Sequence, residues 1–243
     1  MLNIFSMLAA FVAGLLKTAF GIGAGVFLTP LLSLTMDPKT AVALMAPMML
    51  ITDFSTLGTH WKRWDKKQLL IILPGALLGT ILGSYYLVGA SPEKTKITIG
   101  TIAILFSTLQ ILRIKKEKLF TNIKFSPWQG SIISIAAGTA SAIAHSGGIV
   151  LTIYLITQNL KKETFVATLV GFLLFADCLK IVMFSRLGIL TLPLVKISLF
   201  LVPVLFLGSW AGSKLIKKIS DKQFVIYINI LVFISGLILL IKH

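Results

Sequence analysis

Long apolar runs separated by short polar loops cover nearly the whole chain. Runs of about 18 or more apolar residues are typical of membrane-spanning helices, because about 20 residues cross the hydrocarbon core of a bilayer. The runs predict eight segments, which cover residues 2–35, 41–59, 68–90, 95–112, 128–157, 164–184, 190–213 and 224–241. They leave no stretch long enough for a soluble domain. We therefore predict an all-α polytopic membrane protein, with one transmembrane domain over residues 1–243.

Glycine interrupts two of these segments. Each glycine lowers helix stability by roughly 1 kcal/mol and leaves backbone groups free. Freed backbone is tolerated in a bilayer only where protein or a water-filled cavity surrounds it. One broken helix in each half of a chain is the usual sequence pointer to a transporter's binding site. The first break contains Gly21, Gly23 and Gly25, and the second contains His145, Ser146, Gly147 and Gly148.

The two halves of the chain form an internal repeat. At a spacing of 124 residues Asp53 matches Asp177, and at a spacing of 129 residues Pro74 matches Pro203. Asp is rare inside membrane segments, yet it recurs at matching positions in both halves together with Gly and Pro. Chance does not explain this agreement. We predict two homologous four-segment halves: repeat one over 1–112, a basic linker over 113–124 and repeat two over 125–243.

The distribution of Lys and Arg between the loops favours an inverted repeat. If all eight segments cross the membrane, the loop cations divide eleven against nine between the two sides. If each broken segment instead returns to its starting side as a re-entrant hairpin, they divide fifteen against five. The positive-inside rule therefore favours two hairpins, with three crossings in each half and opposite orientations of the halves.

Composition excludes several other classes of protein. The chain is 56% hydrophobic, with a mean hydropathy of +0.95 and a net charge of +15. A basic balance can indicate nucleic-acid binding, but here the positive charges lie in short loops between apolar runs, so we expect no nucleic-acid partner. The single cysteine, Cys178, cannot form an internal disulfide and belongs to no metal or redox motif. We expect no cofactor and no metal.

Few ionisable residues lie inside the apolar segments. Where such residues occur in a membrane protein, they usually lie on the path of a substrate or an ion. Lys17 precedes the first break by one helical turn, and His145 lies in the second. Free N–H groups at half-helix N-termini add partial positive charge. We predict a small-anion site, formed by Lys17, Gly21, Gly23, Gly25, His145, Ser146, Gly147 and Gly148.

Three further intramembrane charges are candidates for coupling or charge tuning. Asp177 and Lys180 are three residues apart on one helix face, so they can also form a purely structural pair. Asp53 has Thr56 where Asp177 has Lys180, and therefore lacks that local partner. We predict a pathway or cross-helix role for Asp53, and leave both roles open for the pair.

Four motifs follow one another along the chain. They are Gly-x-Gly-x-Gly followed by Thr29-Pro30, the basic loop after the second segment, Pro74-Gly75-x-x-x-Gly79-x-x-x-Gly83, and Ala144-His145-x-Gly147-Gly148. Their order resembles the TauE/SafE sulfite exporter family of anion permeases, along essentially the whole chain. The resemblance implies transport of sulfite, sulfonates or related sulfur-containing or organic anions, commonly as export across the cytoplasmic membrane. It also places Gly21, Gly23 and Gly25 in the family's first break and Gly147 and Gly148 in its second.

These observations predict a secondary transporter, an exporter of a small anion, that works by alternating access around two broken helices in the cytoplasmic membrane. An anion channel with the same site is the alternative. An intramembrane enzyme is disfavoured because the chain has neither a Gly-x-Ser-x-Gly nucleophile nor an HExxH metal motif. A purely structural membrane protein would have no use for a duplicated break. The sequence leaves open whether the protein forms homo-oligomers.

Overall fold

The computed structural model describes residues 7–15 except 9 and 13, and residues 24–59, 61–115, 124–215 and 221–241. In these ranges the chain is helical apart from short turns, and they contain no strand. Helices suit so apolar a chain because each one satisfies its own backbone hydrogen bonds. The prediction of an all-α chain is confirmed for this part of the protein.

The helices follow one another with short connections, and we label them in chain order after the helical residues found between 7 and 15. They are α1 (Ala24–Ser33), α2 (Pro38–Thr59), α3 (Lys66–Gly89), α4 (Pro92–Lys115), α5 (Pro127–Ala144), α6 (Gly147–Leu155), α7 (Lys162–Arg186), α8 (Leu192–Leu215) and α9 (Asp221–Ile241). A single 3₁₀ turn, Ile156–Gln158, extends α6.

Four of the described helices are long and apolar enough to cross a membrane. The qualifying stretches are Lys66–Gly89, Pro92–Leu112, Lys162–Arg186 and Leu192–Gly212. At about 1.5 Å per residue, the 24 residues of α3 exceed the roughly 30 Å hydrocarbon core. Two shorter apolar stretches, Gly147–Gln158 and Asn229–Ile241, accompany them.

The second broken segment folds back on itself. Helix α5 ends at Ala144 and α6 begins at Gly147, which packs on Ala137, while Tyr154 near the end of α6 packs on Gly130 near the start of α5. The two helices therefore run antiparallel. Their outer ends are joined by a hydrogen bond of 3.1 Å, which the Gln158 side chain donates to the Phe125 carbonyl.

Glycine allows two pairs of helices to pack backbone against backbone, as small residues commonly do in membranes. A Cβ added at Gly79 of α3 would overlap the carbonyl of Ile135 in α5. A Cβ at Gly208 of α8 would overlap the carbonyl of Phe11. The two contacts are equivalent, because Gly208 lies 129 residues after Gly79 and Ile135 lies 124 residues after Phe11. Each broken segment thus packs on the third segment of the other half.

Helices α4 and α9 also pack closely, and they run antiparallel. Gly100 of α4 contacts the carbonyl of Gly236 and the side chain of Leu239, whereas Gly236 contacts Ala103 and Ile104 further along α4. As the position along α4 increases, the contacted position along α9 decreases.

Contacts between loops show which of them share one end of the bundle. Arg63, before α3, donates a hydrogen bond of 2.7 Å to Glu163 at the start of α7. Close by, the Asp65 backbone N–H donates to the Thr168 hydroxyl at 2.9 Å. The loop before α3 and the loop between α6 and α7 therefore lie at the same end.

Candidate functional site

The chain leaves α5 through a strained residue. His145 has φ 50° and ψ 28°, in the left-handed region, at the end of the helix. A non-glycine residue held there costs about 1 kcal/mol or more, and such positions cluster at functional sites. Its counterpart in the first half is Gly21, a residue type that adopts this conformation without strain. The turn is held by Ser146, whose hydroxyl donates to the Ala140 carbonyl at 3.1 Å.

Hydrogen bonds to both ring nitrogens fix the tautomer of His145. Its Nε2 lies 3.0 Å from the Val42 carbonyl oxygen of α2, and its Nδ1 lies 2.8 Å from Nζ of Lys180. A carbonyl oxygen can only accept, so Nε2 carries the proton. The other nitrogen then accepts a hydrogen bond from the Lys180 ammonium. His145 is therefore a neutral imidazole in this arrangement.

Lys180 is the buried cation at the centre of the cluster. The residue is only 1% exposed, although a lysine is almost never fully buried unless it is paired. An ammonium has three N–H donors. Here they face a carboxylate oxygen of Asp177 at 2.5 Å, Nδ1 of His145 at 2.8 Å and the Ser141 carbonyl at 3.3 Å. The ammonium is thus held by α5, the break and α7.

The matching aspartates of the two halves are both buried. Asp53 in α2 is 5% exposed and Asp177 in α7 is 3% exposed. Helices α2 and α7, which carry them, pack against each other. The pathway or cross-helix role of Asp53 stays a prediction.

The first break meets the second through Gly25. A Cβ added to Gly25, at the start of α1, would overlap the Cβ of His145. In each of the short helices that follow the breaks, a threonine hydroxyl donates to the carbonyl four residues earlier: Thr29 to Gly25 and Thr152 to Gly148, each at 2.7 Å. The other predicted residues of the first break, Lys17, Gly21 and Gly23, lie outside the described residues.

The remaining residues of the second break belong to the start of α6. Ser146 is 1% exposed and Gly147 packs on the carbonyl of Ala137. Because α6 begins at Gly147, its first backbone N–H groups point towards the junction of the breaks. The structure therefore brings Gly25, His145, Ser146 and Gly147 together with Lys180.

Sequence reasoning missed two acceptors and one cavity. The backbone carbonyls of Val42 and Ser141 leave no signal in the sequence, since every residue has a carbonyl. The cavity, of about 210 Å³, opens near the start of α2. It is lined by Thr35, Met36, Asp37, Thr40, Leu44, Leu194 and Ile197.

In the described part of the chain no group of three or more His, Cys, Asp or Glu side chains is arranged to hold a metal ion. Cys178, next to Asp177, is exposed. The cluster is therefore one of carboxyl, ammonium and imidazole groups.

The chain was compared with protein families, curated proteins and solved structures. A family model described as "Sulfite exporter TauE/SafE" matches residues 6–239, which is nearly the full chain. No curated protein and no solved structure matches.

Proposed function

We propose that this protein is a secondary transporter, which exports a small sulfur-containing or organic anion such as sulfite or a sulfonate. The chain belongs to the sulfite exporter TauE/SafE family. It is a multi-pass membrane protein, and we place it in the cytoplasmic membrane. The observation that carries the proposal is the junction of the two breaks around a buried ammonium, where Gly25 contacts His145 and His145 contacts Lys180.

The charges at the junction suit an anion. Lys180 supplies a full positive charge in a site of low dielectric, where charge–charge attraction is much stronger than in water. The first N–H groups of α6 add partial positive charge. The anion would take the place of one of the three acceptors that now hold the ammonium. In this proposal Lys180 joins Lys17 and the residues of the breaks as a substrate-binding residue.

The loop contacts support re-entrant hairpins and an inverted repeat. If the segment α5–α6 crossed the membrane completely, the loops that carry Arg63 and Glu163 would lie on opposite sides, yet the two residues form an ion pair. The antiparallel packing of α4 and α9, which are the last helices of the two halves, also fits halves of opposite orientation. We therefore propose one domain of two inverted repeats, with the Arg63 end in the cytoplasm.

Close packing at the junction favours alternating access over a channel. A channel needs a continuous open path, whereas Gly25 packs directly on His145 with no space for a Cβ between them. Rocking of one repeat against the other would separate these two residues and expose Lys180 to one side at a time.

Ligand-induced stabilisation tests the proposed substrate class. Purified protein is heated with sulfite, methanesulfonate or acetate, since a ligand that binds only the folded state raises the melting temperature. We expect one anion class to stabilise the wild type and Lys17→Ala to abolish most of that effect. Lys67→Ala, which removes an exposed cation at the start of α3, is the matched control. Failure of every anion to stabilise the wild type would contradict the proposal.

Cysteine labelling tests the orientation of the repeats. In a Cys178→Ala background, single cysteines replace the exposed residues Lys67, Lys94 and Lys162 in turn. An impermeant maleimide added to intact cells should label the Lys94→Cys protein alone. It should reach the Lys67→Cys and Lys162→Cys proteins only after the membrane is opened. Labelling of positions 67 and 162 from opposite sides would rule out the hairpin in the second half.

A further inference from the structure

The cavity near the start of α2 has an equivalent place at the other end of the bundle. It lies between α2, α8 and the loop that precedes α2. At the repeat spacings of 124 and 129 residues, Leu44 in its lining corresponds to Thr168, and Leu194 corresponds to Asp65. The equivalent place is therefore the contact between α7 and the start of α3. The 22 residues of α2, about 33 Å in length, separate the cavity from the loop that carries Arg63.

Hydrogen bonds close this equivalent place. The buried Thr168 hydroxyl accepts from the Asp65 backbone N–H at 2.9 Å and donates to the Thr164 carbonyl at 2.7 Å. Nearer the surface, Arg63 donates to Glu163 at 2.7 Å. At the cavity the two matching side chains are leucines, which form no hydrogen bond. The two ends of the bundle therefore differ: α7 is bonded to the start of α3, whereas α2 and α8 leave a space of about 210 Å³.

We propose that the cavity is the outer end of the anion pathway, and that the contact of Thr168 with Asp65 is the cytoplasmic gate. The inference rests on the proposed function and on its inverted repeat. It assigns the structure to a state that is closed to the cytoplasm, with the outer part of the pathway open. In the opposite state α7 separates from the start of α3, and α2 and α8 close the cavity, because equivalent elements of inverted repeats exchange their arrangements.

The cavity reaches the level of the junction between the breaks. Thr40 and Leu44 line it, and Val42 lies between them in α2. The Val42 carbonyl accepts the hydrogen bond from Nε2 of His145. At 1.5 Å per residue, positions 40 to 44 span only about 6 Å along the helix axis. Along α2, the cavity therefore ends within one helical turn of the residue that contacts the second break.

The charges at the two ends suit an exit on the cavity side. Asp37 lines the cavity, and its carboxylate accepts from the backbone N–H and the hydroxyl of Thr40 at 2.9 and 3.1 Å. The corresponding residue at the cytoplasmic end is Lys161, which is exposed. A cation near the entrance attracts an anion, and a carboxylate at the exit opposes its return. This asymmetry agrees with export.

Removal of one hydroxyl should loosen the gate. In Thr168→Val the side chain keeps its shape but loses its oxygen, so the Asp65 N–H loses its acceptor in the closed state. In the open state water satisfies the same N–H. A lost acceptor of this kind should shift the equilibrium about tenfold towards the open gate. Thr168→Ser keeps the hydroxyl and is the matched control.

Cysteine reactivity measures both ends without any anion. In a Cys178→Ala background, a small impermeant thiosulfonate reagent should label Leu44→Cys from outside, although position 44 is buried against the rest of the chain. It should label Thr164→Cys from the cytoplasmic side about ten times faster when Thr168→Val is added, because a rarely open gate then opens more often. Adding Thr168→Ser should leave that rate unchanged. Failure to label Leu44→Cys from outside, or equal rates with the two changes at 168, would overturn the inference.

Cross-linking tests the gate during transport. Arg63→Cys/Glu163→Cys in the same background is bridged with a bismaleimide, whose thioether bonds sulfite does not cleave. We expect the bridge to abolish sulfite counterflow in proteoliposomes, whereas the two single variants treated in the same way keep it. Counterflow through the fully bridged protein would overturn the gate and leave anion transport standing. Absence of counterflow before bridging would contradict the proposed function, and the labelling rates would still decide the gate.

Discussion

Replacement of Lys180 by methionine is expected to lower the free energy of unfolding by about 4 kcal/mol, because removing one member of a buried ion pair leaves its partner without compensation. Asp177 would lose its cation and His145 would lose the donor to its Nδ1. The measurement is equilibrium unfolding of purified protein in a detergent and denaturant series. Lys162→Met, at an exposed position of the same helix, is the matched control and should change stability by less than about 0.5 kcal/mol.

A second substitution separates the structural role of Lys180 from its functional role. In Lys180→Met/Asp177→Asn both charges of the pair are removed, and most of the lost stability should return, since replacement of a whole buried pair is often nearly neutral. The double variant should nevertheless bind no anion. Wild-type stability of Lys180→Met alone would show that the ion pair contributes little to the fold.

Substitution of Gly79 by alanine is the other large effect that we expect. The added Cβ would overlap the backbone carbonyl of Ile135, which cannot rotate away as a side chain can. Overpacking of this kind costs roughly 1–3 kcal/mol, and we expect the upper end because backbone must move. Gly208→Ala should have a similar effect through the equivalent contact with Phe11.

The control for this prediction is another glycine inside a long helix. A Cβ at Gly171 would lie 3.5 Å from the nearest side-chain atom, in ordinary contact. Alanine there should stabilise the protein by up to about 1 kcal/mol through its higher helix propensity. The measurement is the melting temperature of Gly79→Ala, Gly208→Ala and Gly171→Ala. Equal melting temperatures for Gly79→Ala and Gly171→Ala would contradict the packing of α3 on α5.

The sequence predicted the helices better than it predicted the site. Apolar runs identified the long helices because a membrane demands length and hydropathy from each helix separately. The run at 164–184, for example, falls within Lys162–Arg186. The break at residues 145–148 was predicted from its glycines, which act on the local backbone, and the structure ends α5 at Ala144 and begins α6 at Gly147. The re-entrant hairpins and the inverted repeat stay predictions, as do the roles assigned to the residues of the breaks.

The partners of Lys180 show what local pattern cannot supply. Asp177 was identifiable at a spacing of three residues, and the structure contains that pair. His145 lies 35 residues away, and its contact depends on a left-handed backbone at the end of α5. Sequence reasoning placed His145 in the anion site. The structure adds that both of its ring nitrogens are engaged, so Lys180 becomes the stronger candidate for the anion's partner.

The measurement that tests the central claim most directly is sulfite counterflow in proteoliposomes. Vesicles are loaded with unlabelled sulfite and diluted into labelled sulfite, and the transient accumulation of label is followed for the wild type and for Lys180→Met/Asp177→Asn. We expect counterflow by the wild type and none by the double variant, although both are folded. Equal counterflow by the two proteins would contradict an anion site built around Lys180 at the junction of the breaks.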